Sequence, residues 1–489
     1  MDLAFHHGVR VTDNRDTPVL IRTAQSAVVF VSGTAPDADA TEFPLDRPVL
    51  IKGAENYSGK AKKLGRTGTL AHALDAILDQ GGDTKLGAYV YIHRVAAANT
   101  LEGTISNIVG DRAAMTGVHS VRRLPTFGVQ QHYKPRLFVA PGFTGALATA
   151  GIKSVAVTAP GQNYPANTDT SVGTVATVVG DGYGAELAVT VTAGAITAIR
   201  VVKPGFGYTE ADIVITGSGG TQATATAVIG TVGNPVAHEY EGICAQLRAI
   251  GFIDGPSTTD EAAVVARECY GSERLYMCDP NLLAWDIETS AYIARPSSAR
   301  FAGVQCRMDR DIGFHKSVSN GLIHGVDGPA RPIQYGEQTN YLNENNVGTV
   351  VNRDGGWWTW GNRTTAGTFL AVRRSRDFIN EAIEQAYMAY VDRVMNDTNL
   401  KLLVEDGARF LRTLEGEGPV MRGSSRLWYD PERNVASEMK QGRITLSIRY
   451  ESPPPIEDLR VEAFDNIQAY DLLLDRVRGA IEVGPLSTN

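Results

Sequence analysis

Long apolar runs are missing from this 489-residue sequence. No stretch approaches the roughly 18 residues that a membrane-spanning helix needs, so direct membrane insertion is not expected. Cysteine is scarce. Cys244, Cys269, Cys278 and Cys306 are the four, and no pair is spaced C-x-x-C. That excludes a disulfide scaffold and fits buried thiols in a reducing cytoplasm. The opening MDLAFHHGVR has no basic stretch followed by an apolar core, so no secretory signal is expected. Basic clusters are absent too: Lys and Arg number 46 against 54 Asp and Glu, for a net charge of −8. Nucleic-acid binding needs a basic footprint and is not expected. A mild negative charge suits a chain that must stay soluble before it assembles.

Enzyme motifs are equally thin. Ala54-Glu-Asn-Tyr-Ser-Gly-Lys-Ala61 approaches a phosphate-binding loop, but Ala54 replaces its first glycine and Ala61 its magnesium-holding Ser/Thr. Gly217 to Gln222 fails the dinucleotide pattern at Gln222 and reads as a turn. There is no G-x-S-x-G elbow, and His238-Glu239 lacks the second histidine of a zinc helix. His6 and His7 are adjacent, so on an extended arm they point apart. Asp309 and Asp311, interleaved with Arg307 and Arg310, read as a salt-bridged helix end. No Ser/His/Asp arrangement is recognisable, and no catalytic residue, metal site or cofactor is expected.

What is present is alternation. Ser26 to Gly33 reads as a strand buried on both faces. Gly68 to Gln80 places Leu70, Leu74, Ile77 and Leu78 on one helical face, and Ala88 to Ala96 reads as a strand. Lys134 to Pro141 reads as another. The composition then turns to Gly, Thr, Val and Ala. Val157-Thr-Ala-Pro-Gly-Gln-Asn-Tyr164 recurs 44 residues later as Val201-Val-Lys-Pro-Gly-Phe-Gly-Tyr208. One copy could not close a core, so the two are expected to pair. Helix and strand patterns return from Val236 to Asp311. A long helix is expected over Asp377 to Val394, another over Leu400 to Leu414, and a half-exposed strand over Arg443 to Tyr450.

The expected fold is α/β and α+β multidomain: an open α/β sheet core with an inserted all-β domain, a C-terminal α+β assembly domain and extended terminal arms. The expected parts are an N-terminal arm (1–25), an N-terminal α/β part (26–96), a middle α/β domain (97–145 and 233–334) interrupted by an all-β surface insertion (146–232), the C-terminal domain (335–455), and a C-terminal arm (456–489). In the arm, Leu459, Val461 and Phe464 suggest strand-like alternation after the stiff Pro453-Pro454-Pro455.

Asp354 to Gly367, DGGWWTWGNRTTAG, concentrates Trp357, Trp358 and Trp360 beside turn residues. An apolar strand leads in and a helix follows, so packing at a domain or subunit junction is expected rather than an exposed sugar platform. Tyr341 to Val351 followed by Trp360-Gly361-Asn362-Arg363-Thr364 resembles contractile phage tail sheath proteins, including R-type pyocin-like sheaths. So do Ser297 to Val304, Asp309 to Phe314, Ser317 to Asn320, His7 to Val11, Gly33 to Pro36 and Phe43 to Leu50. The resemblance covers the chain apart from roughly Ala146 to Val232.

The resemblance implies a middle domain called subtilisin-like for its fold, not for proteolysis. It implies a subunit of a virion tail, assembled in the host cytoplasm. Hexameric rings of this one chain would stack around a tail tube and contract to drive it through a cell envelope. The partners implied are the chain itself, the tail tube protein, and the baseplate and tail terminator proteins. Trp357 to Thr364 would serve as packing anchors. Isolated terminal strands must add to another sheet, so exchanged arms are the expected linkage. A hydrolase on the same α/β fold and a carbohydrate-binding surface protein are the alternatives.

Overall fold

The computed structural model describes residues 25–52, 59–81, 88–124, 133–165 and 173–482. Nearly all of the expected N-terminal arm, with His6 and His7, lies outside the described residues, as does most of the Ala54 to Ala61 loop.

The chain begins with β1 (Val28–Thr34), β2 (Val49–Ile51), α1 (Leu70–Asp79), β3 (Tyr89–Val95), α2 (Leu101–Val109) and β4 (Leu137–Val139). Six strands follow without a helix: β5 (Ala148–Gln162), β6 (Val175–Gly180), β7 (Tyr183–Thr192), β8 (Ala195–Phe206), β9 (Ala211–Thr216) and β10 (Thr221–Val232). Alternation resumes with α3 (Pro235–Leu247), β11 (Ile250–Asp254), α4 (Asp260–Glu268), β12 (Leu275–Cys278), β13 (Leu282–Asp286), β14 (Ala291–Arg295), α5 (Ser298–Asp311), β15 (Leu322–Ile323) and β16 (Gly328–Pro329). Next come α6 (Glu337–Glu344), β17 (Val347–Arg353), β18 (Gly356–Trp360), α7 (Leu370–Tyr387), α8 (Asp397–Glu417), β19 (Arg426–Tyr429), α9 (Ala436–Lys440) and β20 (Leu446–Arg449).

Nine of these strands form one sheet in the order β15-β18-β17-β12-β11-β4-β1-β3-β2. The six from β3 to β17 run parallel, and antiparallel strands close both sides. Strands from residues 26–96, from the middle stretch and from residues 335–455 all contribute. The expected boundaries at 96/97 and 334/335 therefore do not separate sheets. β1 shows why its first four residues are all apolar. Val29 and Val31 meet Leu74, Ile77, Phe301 and Val304 from α1 and α5. Val28 and Phe30 meet Ile105, Ile108, Tyr240 and Ile243 from α2 and α3 on the other face. Each such side chain stabilises the fold by roughly 1.5–3 kcal/mol when fully buried.

The repeat copies lie in β5 and β8, and each uses the same device. Gly161 and Gly205 have φ of +63° and +60°, and a Cβ there would come within 2.6 Å of Thr221 O and 2.4 Å of Tyr183 O. Tyr164 and Tyr208 each accept a backbone N–H at 3.3 Å, from Ala223 and Ala185. The donors belong to the opposite copy. β5 pairs with β10, and β8 with β7, both antiparallel. The copies thus exchange strands around one core that includes Leu187, Val189, Ile196 and Ile199. Both ends of the insertion meet, because Ala148 and Val232 are register partners.

α7 begins and ends seven residues earlier than the expected Asp377 to Val394 helix. Its first turns carry Arg373 and Arg374, which look solvent-facing by sequence but form ion pairs inside the fold. The unit Met1–Pro455 is compact; Ile456–Asn489 is a second unit. In the latter, residues 456–466 carry no helix or strand. Its later part differs from the strand-like expectation: Gln468–Glu482 is a helix, α10, with Tyr470, Leu473, Leu474 and Val477 at helical spacing.

Candidate assembly interface

The structure does bring a serine, a histidine and an aspartate together, which motif searching missed. Ser32 and His93 are register partners on β1 and β3, with Ser32 Oγ 3.0 Å from His93 Nδ1. His93 Nε2 lies 3.5 Å from Asp46 Oδ1. The readable signal was a polar residue at the same phase in each of two apolar strands. Ser32 and His93 are both 0% exposed, so no substrate carbonyl can reach the hydroxyl. Burial holds His93 below its ordinary pKa, with Asp46 opposing. The group acts as a buried polar tie between strands.

Other candidates are likewise structural. Asp309 pairs with Arg374 of α7 through two hydrogen bonds rather than with its neighbours. Arg310 pairs with Asp311 at 2.6 Å, and Arg307 donates to the backbone of Gln80 and Leu322. His238 lies 3.5 Å from Glu241, while Glu239 accepts from Lys203 of the insertion at 2.7 Å and lies 3.3 Å from His119. Gly217 to Gly220 form the β9–β10 turn. Among the described residues no group of three or more His, Cys, Asp or Glu could hold a metal, and no helix is long and apolar enough to cross a membrane. A cleft of about 1090 Å³ opens between α1 and the β13–β14 hairpin. Its Arg66 pairs with Asp75, and its Arg295 with Asp286.

The tryptophan stretch is a strand. β18 pairs with β17 and β15, and its three indoles are half-buried. Trp357 packs on the main core and donates to Asp327 O at 3.0 Å. Trp358 donates to Arg353 O at 2.9 Å and lies under the Arg353 guanidinium at 4.1 Å. Trp360 meets Tyr335 edge-on, with centroids 5.8 Å apart.

The next four residues fasten the strand to the sheet and lead into α7. Gly361 has φ +126°; its carbonyl accepts from Tyr276 Oη at 2.8 Å and its N–H donates to Ser319 Oγ. Asn362 O accepts from Leu370 N, opening α7. Arg363 lies over Phe369 at 4.2 Å. Thr364 is fully buried, its Oγ1 2.7 Å from that of Thr368. These polar atoms are used within the chain.

α7 is held to the sheet by ion pairs. Glu381 accepts from Arg136, just before β4, and from Lys134 at 3.2 Å. Asp377 accepts from Arg274, just before β12, and from Arg373. Sequence reading missed this belt. Its trace was a cation just ahead of each apolar strand and acids four apart on one helix.

Beyond α7 the fold leaves surfaces open. β19 and β20 form a two-stranded antiparallel sheet, and among the described residues neither outer edge is paired. α8 packs behind it through Phe410, Leu411 and Leu414. An apolar groove of about 410 Å³ runs between them, lined by Leu400, Val404, Tyr429, Ile444 and Leu446. Within the second unit, Ile456, Val461 and Phe464 are 82%, 82% and 83% exposed. Contiguous exposed apolar side chains of this kind mark an interaction surface.

Comparison with known proteins gives these surfaces a setting. Residues 206–365 match the phage tail sheath protein central domain. The tail sheath protein of Escherichia phage P2 is 26% identical over 471 residues, covering 93% of this chain and 94% of that one. Over nearly its whole length the chain is thus similar to a contractile phage tail sheath protein. A putative prophage major tail sheath protein of Pseudomonas aeruginosa (strain UCBPP-PA14) is 37% identical over 241 residues, which span 62% of that protein and 47% of this chain. The sheath of an extracellular contractile injection system, PVC, in the contracted state shares the fold, with a TM-score of 0.59 at 14% identity over 96% of this chain and 100% of that one. The β5–β10 module ends inside the family match, which starts at residue 206.

Proposed function

We propose that this sheath subunit polymerises as stacked hexameric rings around a tail tube and contracts to drive the tube through a host cell envelope. The observation that carries the linkage is the β19–β20 sheet, whose two edges are open among the described residues, in a chain whose residues 456–466 carry no helix or strand and expose Ile456, Leu459, Val461 and Phe464. An arm from a second copy adds as a strand, so that backbone hydrogen bonds supply affinity and the apolar groove takes alternate side chains. Each ladder bond contributes roughly 0.5–1.5 kcal/mol net, so four or five per junction give several kcal/mol. The tube, baseplate and tail terminator proteins are the further partners, and the assembled tail is the place of action. No nucleotide is needed if the extended lattice is the less favourable packing. The zero exposure of Ser32 and His93 weighs against the hydrolase reading. The half-buried, internally bonded indoles weigh against the carbohydrate platform.

Truncation after Pro455 tests the linkage. Sedimentation and electron microscopy should show a soluble, cooperatively melting protein that forms no rings or tubes. Tubes formed without the arm would refute strand donation.

A further inference from the structure

The β19–β20 sheet carries an electrostatic conflict that nothing within the described chain resolves. Arg426 and Arg449 are register partners directly opposite one another, and like charges in that relation destabilise a strand pair. Both side chains are exposed. Arg426 lies over the Trp428 ring at 5.3 Å, on the same face. The opposite face carries Leu427, Tyr429, Leu446 and Ile448, of which Tyr429 and Leu446 line the apolar groove. The surrounding segment from Val420 to Tyr450 is basic: Arg422, Arg426, Arg433, Lys440, Arg443 and Arg449 stand against Asp430, Glu432 and Glu438.

The arm has the complementary balance. From Ile456 to Asp465, Glu457, Asp458, Glu462 and Asp465 stand against Arg460 alone. Side chains two apart on a strand share a face. If Leu459 and Val461 enter the apolar groove, Asp458, Arg460 and Glu462 fall on the face that carries the two opposed arginines. In the free arm Arg460 lies 2.8 Å from Asp458, an exposed pair of small worth that the incoming strand gives up when Asp458 turns to the sheet.

We infer that the β19–β20 sheet accepts the arm of a second copy by charge as well as by shape, with Asp458 and Glu462 of the incoming strand neutralising the opposed Arg426–Arg449 pair. This rests on arm donation as proposed above and adds what selects the donor. Adjacent strands lie about 4.8 Å apart, so an added edge strand brings its carboxylates beside the arginine of the adjoining strand and about two spacings from the other, within reach of long side chains. The conflict between the arginines is then a device that keeps the empty sheet unfavourable and rewards the acidic strand over a neutral one.

Complementary charge reversal tests this. One variant carries Arg426→Glu and Arg449→Glu; the other carries Asp458→Lys and Glu462→Lys. All four sites are exposed, so both should melt as the parent does, which circular dichroism checks. Each alone should raise the critical concentration for tubes by about tenfold or more. An equimolar mixture should recover tubes containing both chains, because each arm then meets an oppositely charged sheet. Recovery only when all four changes sit in one chain that assembles solely with itself also supports charge matching. Rescue of a unimolecular melt without tubes would instead assign the sheet to the chain's own arm and overturn the inference. So would tubes from each variant alone at parental concentration and salt dependence. Loss of tubes on truncation with no effect of either reversal would leave arm donation standing and remove the charge selection.

Discussion

Glu381 offers the sharpest test of what holds the subunit rigid. It is 4% exposed and accepts from Arg136 Nη2 at 2.9 Å, Lys134 Nζ at 3.2 Å and Gln385 Nε2 at 3.2 Å. Arg136 is 1% exposed, its guanidinium 4.9 Å from the Phe378 ring. Replacing Glu381 with Ala removes the anion and leaves two cations out of water. Lys134 can shed its proton, since burial already holds its pKa below the ordinary range, with Arg136 adding to the effect. Arg136 cannot. Breaking a buried pair in this way costs about 3–5 kcal/mol. Unfolding entropy is about 2.1 cal/mol/K per residue, so in a unit running from Met1 to Pro455 each kcal/mol moves the melting temperature by only about 1 °C. The expected loss is therefore about 3–5 °C, read on unassembled, arm-truncated protein by calorimetry and circular dichroism. A triple change, Lys134→Met, Arg136→Met and Glu381→Leu, should recover most of it, because apolar residues of similar volume replace such networks at little cost. A Glu381→Ala protein that melts with the parent, or a triple variant that melts below the single one, would refute the reasoning.

Two further outcomes follow from the geometry. Asp254 is buried at the end of β11, where Ser298 N, Ser298 Oγ and Thr144 Oγ1 donate to it, yet burial outweighs those bonds and pushes its pKa up to about 6. An acid with a raised folded pKa takes up a proton on folding between about pH 4 and 6, so its contribution falls as pH rises through that window and costs about 3 kcal/mol above it. The melting-temperature difference between Asp254→Asn and the parent should accordingly grow more favourable to the variant from pH 4.5 to 7.5, and a pH-independent difference would count against the shift. Deleting residues 149–231 with a short linker should leave tube formation intact, because Ala148 and Val232 already sit opposite each other; the deletion strands Glu239 without Lys203, so adding Glu239→Gln should raise its melting temperature, and loss of soluble protein in both would place the insertion within the core.

Much of the sheet was legible because its strands are buried on both faces, and that leaves uninterrupted apolar runs such as Val28 to Val31. Helices with one apolar stripe, such as α1 and α5, were legible for the matching reason. α7 was misplaced because its first turns bury charge rather than carbon: Arg374 and Asp377 look like solvent-facing residues until Asp309 and Arg274 are brought to them. Ser32, His93 and Asp46 were illegible for a related reason, since only strand register places residues 61 positions apart in contact. The opposed Arg426 and Arg449 are another case of register. The WGNRT motif was expected to anchor a domain or subunit junction, but a sequence pattern does not say which surface it packs. Here Gly361 bonds to Tyr276 and Ser319, while Asn362 and Thr364 bond to Leu370 and Thr368 at the start of α7.

That division has a mechanical consequence if the subunit moves within a lattice as proposed. Deformation concentrates where the fewest interactions resist it. Arg136, Arg274 and Arg374 each form a two-pronged pair with a carboxylate on or facing α7, and such pairs are directional as well as costly to break. They tie the sheet and the long helix into one body. Residues 456 and 457 lie between Pro455 and the proposed donated strand at Asp458 to Glu462 and have neither helix nor strand, so turning about that connector disrupts no internal ladder. If neighbouring subunits rotate during contraction, the connector takes up the change while the donated strand and the body keep their shapes. A stiffened connector should then leave tubes able to form and unable to contract, a result that separates bending from binding in the same segment.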